Sequence, residues 1–371
     1  MKMKQLLTAM TIIIVLGMLL GACQPAPAEP AATEAPVATE APAQPAETEE
    51  PAQAAPTTVK IAFFATGPLD EPWSQAMVQA VERVKQDPPQ GLAIEYKWFE
   101  KVPIDDYEKF VRDVIDTGEF DIIWLHDASA GTDPVDNLRL QYPEQIFGVS
   151  ASNYYPVGGN TYFVQMYAHE PSYLCGVIAG MMTESDVLGM VAGFPYASVN
   201  HELNAFMDGA KSVNPEVQFK SSYIESWWDP VKAKETALAQ IEAGADLIFS
   251  ERYGAFEAAR DKGVLAFGNQ SDIHEMAPET IITSPLVFWD PDVKFVIEAW
   301  YDHVVNGTAY NAPADKPIYF LMKDGGSDLA PLYEFEQKLP PEVIAKFNEV
   351  KQQILDGTLV IPLNLEEVKI E

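Results

Sequence analysis

The chain is poor in cysteine, poor in positive charge and poor in paired histidine. Only two cysteines occur in 371 residues, Cys23 and Cys175, so neither a disulfide framework nor a cysteine-rich zinc site can be built. Lysine and arginine total 24 against 55 aspartates and glutamates, a formal net charge of −31. A nucleic-acid binder needs a basic surface to displace counterions from phosphates, and attachment to anionic lipid through basic residues needs the same. Both are excluded. The five histidines (His126, His169, His201, His274 and His303) form no His-x-x-x-His pair and no metal-ligand spacing. No nucleophile elbow, phosphate loop or dinucleotide fingerprint is present either, so the sequence offers no catalytic motif, no metal site and no cofactor site.

What is present begins with an address. Lys2 and Lys4 precede an apolar run from Leu6 to Leu20, which closes on Leu20-Gly21-Ala22-Cys23. A basic head and a run shorter than the roughly 20 residues of a spanning helix describe a secretory signal peptide over 1–22. The closing tetrapeptide resembles the bacterial lipobox, and that resemblance implies lipidation of Cys23 and attachment to the extracytoplasmic face of a membrane. After Cys23, from Gln24 to Thr57, the chain is almost entirely Pro, Ala, Glu, Thr and Gln, without one aromatic side chain. Such a stretch buries too little apolar surface to offset its ordering entropy and reads as an extended tether. Six of the acids and two of the bases precede Thr58, so the body that follows holds 49 and 22 and remains strongly acidic.

The body alternates short β-rich runs with helical periodicity. Val59–Phe64, Leu92–Phe99, Phe120–Leu125 and Gln145–Val149 read as strands, with helices at Trp73–Val84 and Ile104–Ile115. After a polar break at Asn153–Asn160 a second series begins. Its helices are Pro171–Met182, Val199–Val213, Pro230–Ala243 and Ala255–Lys262; its strands are Val187–Ala192, Val217–Ile224, Leu247–Phe249 and Val264–Phe267. The rhythm implies an α/β fold of two Rossmann-like lobes with parallel sheets. The tail adds strands at Thr280–Ser284 and Lys316–Met322 and helices at Val293–Val305 and Pro340–Leu355. A chain that crosses back here gives one lobe from 58–162 and 285–320, the other from 163–284 and 321–371, with hinges near Tyr162, Ser284 and Phe320.

Ligands of parallel sheets gather past the carboxyl ends of the strands. The segments there are Gly67–Trp73, His126–Gly131, Glu225–Pro230 and Gly268–Asp272, each with an aromatic or amide group beside an acid. Candidate contacts are therefore Asp70, Trp73, Asp127, Trp227, Asn269 and Asp272. Two indoles clamping a flat ligand suit a purine or a sugar ring. Trp228 is the weaker of the tandem tryptophans for this role. Asp229, followed by Pro230, fits a helix cap as well as it fits a ligand contact, and Cys175 in its apolar stretch reads as a buried, inert thiol.

The motifs Ser172-Tyr-Leu-Cys-Gly-Val-Ile-Ala-Gly-Met-Met182, Asn204-Ala-Phe-Met-Asp-Gly-Ala-Lys211, Ser226-Trp-Trp-Asp-Pro230, Gly244-Ala-Asp246 and Ala266–Asp272 resemble, in order, the basic membrane protein family of bacterial lipoproteins. From Val59 to about Asp356 the resemblance implies a substrate-binding component of an ABC transporter with a type I periplasmic-binding fold. It implies no enzyme activity, and a permease and an ATPase as partners. Asn204, in the second motif, joins the candidate contacts. Known ligands of the family are purine nucleosides and, in some members, a free purine base. The nucleoside branch's first loop, D-x-G-x-x-D-x-S-F-N, is similar to Ala65–Ser74 here, with Trp73 for the stacking Phe and Ala65 for the leading Asp. Its Gly-Val-Asp-Ser-Asp corresponds to Gly268-Asn-Gln-Ser-Asp272, and its Lys after a Thr-Ser pair is missing from Thr283–Phe288. These departures fall on groups that the family uses around the ribose, which points toward a free, adenine-like base. A sugar or other small solute, or a sensor that reports ligand to a membrane receptor, is the alternative. Radiolabelled palmitate should enter the full chain and not a Cys23→Ser variant; label in both would contradict the lipid anchor.

Overall fold

The computed structural model describes residues 55–69, 72–126, 132–151 and 155–369. The signal segment, Cys23, the tether up to residue 54, Asp70 and Asp127 lie outside them. The first series of elements is β1 (Thr58–Phe64), α1 (Pro72–Val84), β2 (Ala93–Phe99), α2 (Tyr107–Ile115), β3 (Ile122–His126), α3 (Thr132–Gln141), β4 (Ile146–Ser150) and β5 (Thr161–Val164). Its five strands form one sheet in the order β2-β1-β3-β4-β5, and every pairing is parallel. Val59, Ile61 and Phe63 point to one face, Ala62 and Phe64 to the other. Because both faces are covered, the strand reads as nearly continuous hydrophobic sequence. One face is sealed by Met77, Ala80, Val81 and Val84, a helical stripe of α1. Val111, Val114 and Ile115 of α2 and Val135 and Leu138 of α3 seal the other.

The second series is α4 (His169–Met182), β6 (Val187–Ala192), α5 (Ala197–Val213), β7 (Gln218–Tyr223), α6 (Pro230–Glu242), β8 (Leu247–Ser250), α7 (Ala255–Lys262) and β9 (Leu265–Phe267). Its four strands are parallel in the order β7-β6-β8-β9. The remaining chain supplies β10 (Pro285–Val287), α8 (Asp290–Asn306), β11 (Ser327–Leu329), α9 (Phe335–Lys338) and α10 (Pro341–Leu355). Trp289, Val293, Val296, Ile297 and Trp300 pack on the first sheet beside α1. Val343, Phe347, Val350 and Ile354 of α10 pack into the core of the second, beside α4.

The chain therefore passes between the two cores three times: after Val164, between Ile282 and Trp289, and between Ile318 and Met322. The crossings hold one another. Gln165 N–H donates to Ile318 O (2.8 Å), Ala330 N–H to Ser284 O (2.9 Å), and Met322 N–H to the Glu170 carboxylate (2.8 Å), while β10 and β11 pair antiparallel. Tyr162 lies within β5 opposite Gly148, so the first crossing follows Val164.

Several details differ from the sequence reading, which has no counterpart to β5, β10, β11 or the short α9. Helix α3 is an addition: among its described side chains, Val135 and Leu138 are the buried apolar ones, so its periodicity is faint. Thr280–Ser284 and Lys316–Met322 form no ladder; each makes a single bridge, Ile281 to Ala266 and Ile318 to Val164.

α4 and α5 approach backbone to backbone at Gly176 and Gly209. A Cβ on Gly176 would sit 2.0 Å from Phe206 O, and one on Gly209 would sit 2.0 Å from Tyr173 O. Neither backbone can yield without parting the helices. Gly176→Ala and Gly209→Ala should each lower unfolding stability by about 1–3 kcal/mol. Denaturant titration measures this, and two unchanged midpoints would show that the helices separate at no cost.

Candidate functional site

Parallel strands of each sheet end on the same side, and those ends meet around one cavity of about 750 Å³. That volume lies within the roughly 300–1,000 Å³ usual for small-molecule sites. From the first lobe it is lined by Ala65–Gly67 after β1, Trp73 and Ser74 at the start of α1, His126 at the end of β3, and Gln165 and Met166 after β5. From the second come Ser198 and Glu202 of α5, Trp227 and Trp228 after β7, Ser250–Tyr253 around the end of β8, and Asn269–Ser271 after β9.

Each indole is braced differently. Trp73 stacks on the His126 imidazole (centroids 5.3 Å apart, 19° between planes) and meets Trp289 edge-on at 5.2 Å. His126 is fixed in turn: Nε2 donates to Trp73 O at 3.2 Å, leaving Nδ1 to accept from Ser150 Oγ at 2.6 Å. Ser150 Oγ itself accepts from Trp124 Nε1 at 3.0 Å. Trp227 is 40% exposed and leans on Phe194 and Tyr196, with the Arg252 guanidinium 5.3 Å from its ring. Trp228, 62% exposed, stacks on Tyr253 at 5.1 Å and also faces the cavity.

The polar floor belongs to the second lobe. Glu251 is buried and fully engaged: its carboxylate accepts Gly193 N–H at 2.9 Å, Arg252 Nε at 2.8 Å and Arg252 Nη2. Arg252 Nη1 donates to Trp227 O at 3.1 Å, which ties the tryptophan loop to the floor. Glu202 is 2% exposed. Burial holds its carboxyl well above the usual carboxylate range, and the Glu251 charge pushes the same way, against the pull of Arg252 and Asn269. Oε2 of Glu202, Nδ2 of Asn269 and Oγ of Ser198 have no hydrogen-bond partner among the described residues.

Trp73, Trp227 and Asn269 thus share the cavity, and Asp70 and Asp127 lie outside the described residues. Two candidates are corrected. Asn204 follows Glu202 by two residues, roughly 200° around the helix. Its amide faces away from the cavity and donates to Asn364 O (3.2 Å) and Glu366 O (2.8 Å) of the C-terminal tail. Asp272 lies past a left-handed turn at Gln270 (φ +60°), which redirects the chain. Its carboxylate accepts His274 N–H at 3.1 Å and the Tyr333 hydroxyl at 2.5 Å. Asp229 caps α6, accepting Lys232 N–H at 2.9 Å ahead of Pro230. Sequence reasoning missed Glu202, Glu251, Arg252, Ser198 and Gln165. Glu251 and Arg252 directly follow a strand, the one position that could have drawn attention to them.

Among the described residues no group of histidines, cysteines and carboxylates is arranged to hold a metal ion, and no helix is long and apolar enough to cross a membrane.

Two α/β lobes, three crossing segments and a cleft lined by strand ends define a solute-binding protein of the type I periplasmic-binding fold. A protein of this fold from Aeropyrum pernix, an ABC transporter solute-binding protein, superposes with a TM-score of 0.64 at 17% identity, over 82% of this chain and 94% of that one. The chain belongs to the family of PnrA-like ABC transporter substrate-binding proteins, whose model matches residues 58–362. A protein of Haloferax volcanii, provisionally named an ABC transporter glucose-binding protein, is 33% identical over 58% of this chain and 54% of its own length. A purine-binding protein of Brucella abortus is 30% identical over 61% of each. The chain thus spans between half and two thirds of the length of these relatives.

Behind the floor lie two neutral imidazoles. Burial pushes His169 down to about 4, and burial together with His169 pushes His201 well below the ordinary value of 6.5. Between those values the unfolded chain binds protons that the folded chain refuses, so these two groups make stability fall as pH drops from about 6.5 to about 4. His169→Phe should remove about 2–3 kcal/mol of that pH dependence. Urea titrations across the window measure it, and a slope equal to that of the parent would contradict it.

Proposed function

We propose that the cleft captures an uncharged purine, most closely an adenine-like free base, between Trp73 of one lobe and Trp227 of the other. The observation that carries this reading is that two indoles at the strand ends of different sheets line one cavity with Asn269 beside them. Aromatic faces hold flat bases by stacking, and a few polar groups set the orientation. The Brucella abortus relative, named for purine binding, supports the same chemistry. In the open form each lobe presents its own indole; a purine that bridges them favours closure by its difference in affinity for the two conformations. The closed protein then docks on a membrane permease driven by a cytoplasmic ATPase. A lipid on Cys23 keeps the body at the extracytoplasmic surface, with the Pro/Ala/Glu/Thr tether setting its reach.

A sugar is the second reading. The Haloferax volcanii relative carries a glucose-binding name, and indoles also stack on pyranose faces. The same cleft in a sensor would report ligand to a receptor rather than deliver it. Calorimetric titration of ligand-stripped protein with adenine, adenosine, guanosine, xanthine and glucose separates the ligands: heat with adenine supports the purine reading, and heat with glucose alone replaces it. Trp73→Ala and Trp227→Ala should each weaken adenine binding by about 1–3 kcal/mol, with Trp73→Phe retaining most of the affinity. Unchanged affinity in both alanine variants would contradict the clamp.

A further inference from the structure

One group in the cleft is left over from the packing and pairing described so far. Glu202 sits on α5 one turn beyond Ser198, so the two side chains share the helix face that looks into the cavity. Asn269 reaches the same place from the end of β9. All three carry a polar atom without a partner, although Glu202 is almost wholly buried. Unpaired buried polar atoms cost about 1–3 kcal/mol each, a cost a ligand can relieve.

The charges around Glu202 decide its state. Arg252 and Glu251 face it from the end of β8, His201 adjoins it on α5 with Nε2 4.0 Å from Oε1, and the Cys175 thiol approaches from α4. Burial keeps His201 neutral and pushes the Cys175 thiol up. Arg252 is the one guanidinium or ammonium among the described cavity-lining residues, and its Nε and Nη2 are committed to Glu251. Two carboxyls therefore share one cation that is already paired, which leaves Glu202 without a counter-ion. In that setting the protonated form is favoured.

We propose that Glu202 is the specificity-determining group of the cleft. It acts as a neutral carboxylic acid whose O–H donates to a ring nitrogen and whose C=O accepts from an adjacent N–H, with Asn269 and Ser198 completing the edge. A carboxylic acid presents donor and acceptor in one plane, the complement of the amidine edge of an uncharged heterocycle such as adenine. The arrangement also selects against anions, because the only guanidinium is spent and a second carboxylate lies next to it.

The assignment rests on the purine reading, and the test separates the two. Adenine is titrated calorimetrically into the parent protein, Glu202→Gln and Glu202→Leu, each checked for an unchanged fold by circular dichroism, from about pH 5 to about pH 9. The parent should bind with an affinity that is constant on the acid side and weakens as pH rises, because deprotonation removes the donor. Glu202→Gln, which keeps one donor and one acceptor, should stay within about threefold of the parent at neutral pH. It should also lack the part of the alkaline loss that does not belong to adenine itself. Glu202→Leu should bind roughly tenfold or more weakly at neutral pH. Adenine heat with equal affinity in the parent and Glu202→Leu overturns the assignment while leaving the purine reading intact. Affinity that rises with pH in the parent overturns it too, since that is the behaviour of a carboxylate gripping a cation. A parent protein that gives no heat with adenine at any pH overturns both.

Discussion

Parallel pairing constrains nearly everything in this molecule. Strands that run in one direction must return through helices, those helices cover both faces of each sheet, and every strand of a sheet ends on the same side. Val59–Phe64 shows the first consequence, with alternate residues packing against α1 and α8 on one face and against α2 and α3 on the other. The second is that the strand ends converge: β1, β3, β5, β7, β8 and β9 deliver Gly67, His126, Gln165, Trp227, Arg252 and Asn269 to one cavity. The three crossings keep those two sets of ends opposed.

Within that frame the two lobes contribute different chemistry. The first lobe holds an indole rigidly, since Trp73 is stacked on His126, which is anchored through Ser150 to Trp124. The second holds an indole on a loop tied down by Arg252 and offers the ionisable groups as well. A net charge of −31 by itself would predict a carboxylate-lined mouth. Among the described residues, the acids lining the cavity are buried in its floor, one paired with Arg252 and one without a counter-ion. The bulk of the charge is a property of the surface and serves solubility more than ligand attraction.

The alternation of elements was legible because core strands and amphipathic helices carry strong periodic signals, and the positions of Trp73 and Trp227 followed from strand-end reasoning. α3 escaped because Val135 and Leu138, with a third aliphatic, Leu140, turned to solvent, make no readable stripe. Asn204 was misplaced because motif membership does not say which side of a helix faces the ligand, whereas Glu202 two residues earlier does face it. Asp272 was misplaced because the turn at Gln270 is invisible to composition. Glu202 carried no signal of its own, since one acid among 55 is distinguished only by what buries it, and Glu251 had only its place directly after β8.

A purine held as proposed must lie in the cleft against both indoles. A crystal structure of the protein grown with adenine tests it most directly. Planar density is expected in the cavity, in contact with Trp73 and Trp227 and with a ring edge within hydrogen-bond distance of Glu202 and Asn269. Adenine bound elsewhere on the molecule, or a pyranose retained in the cleft against an excess of adenine, would contradict it.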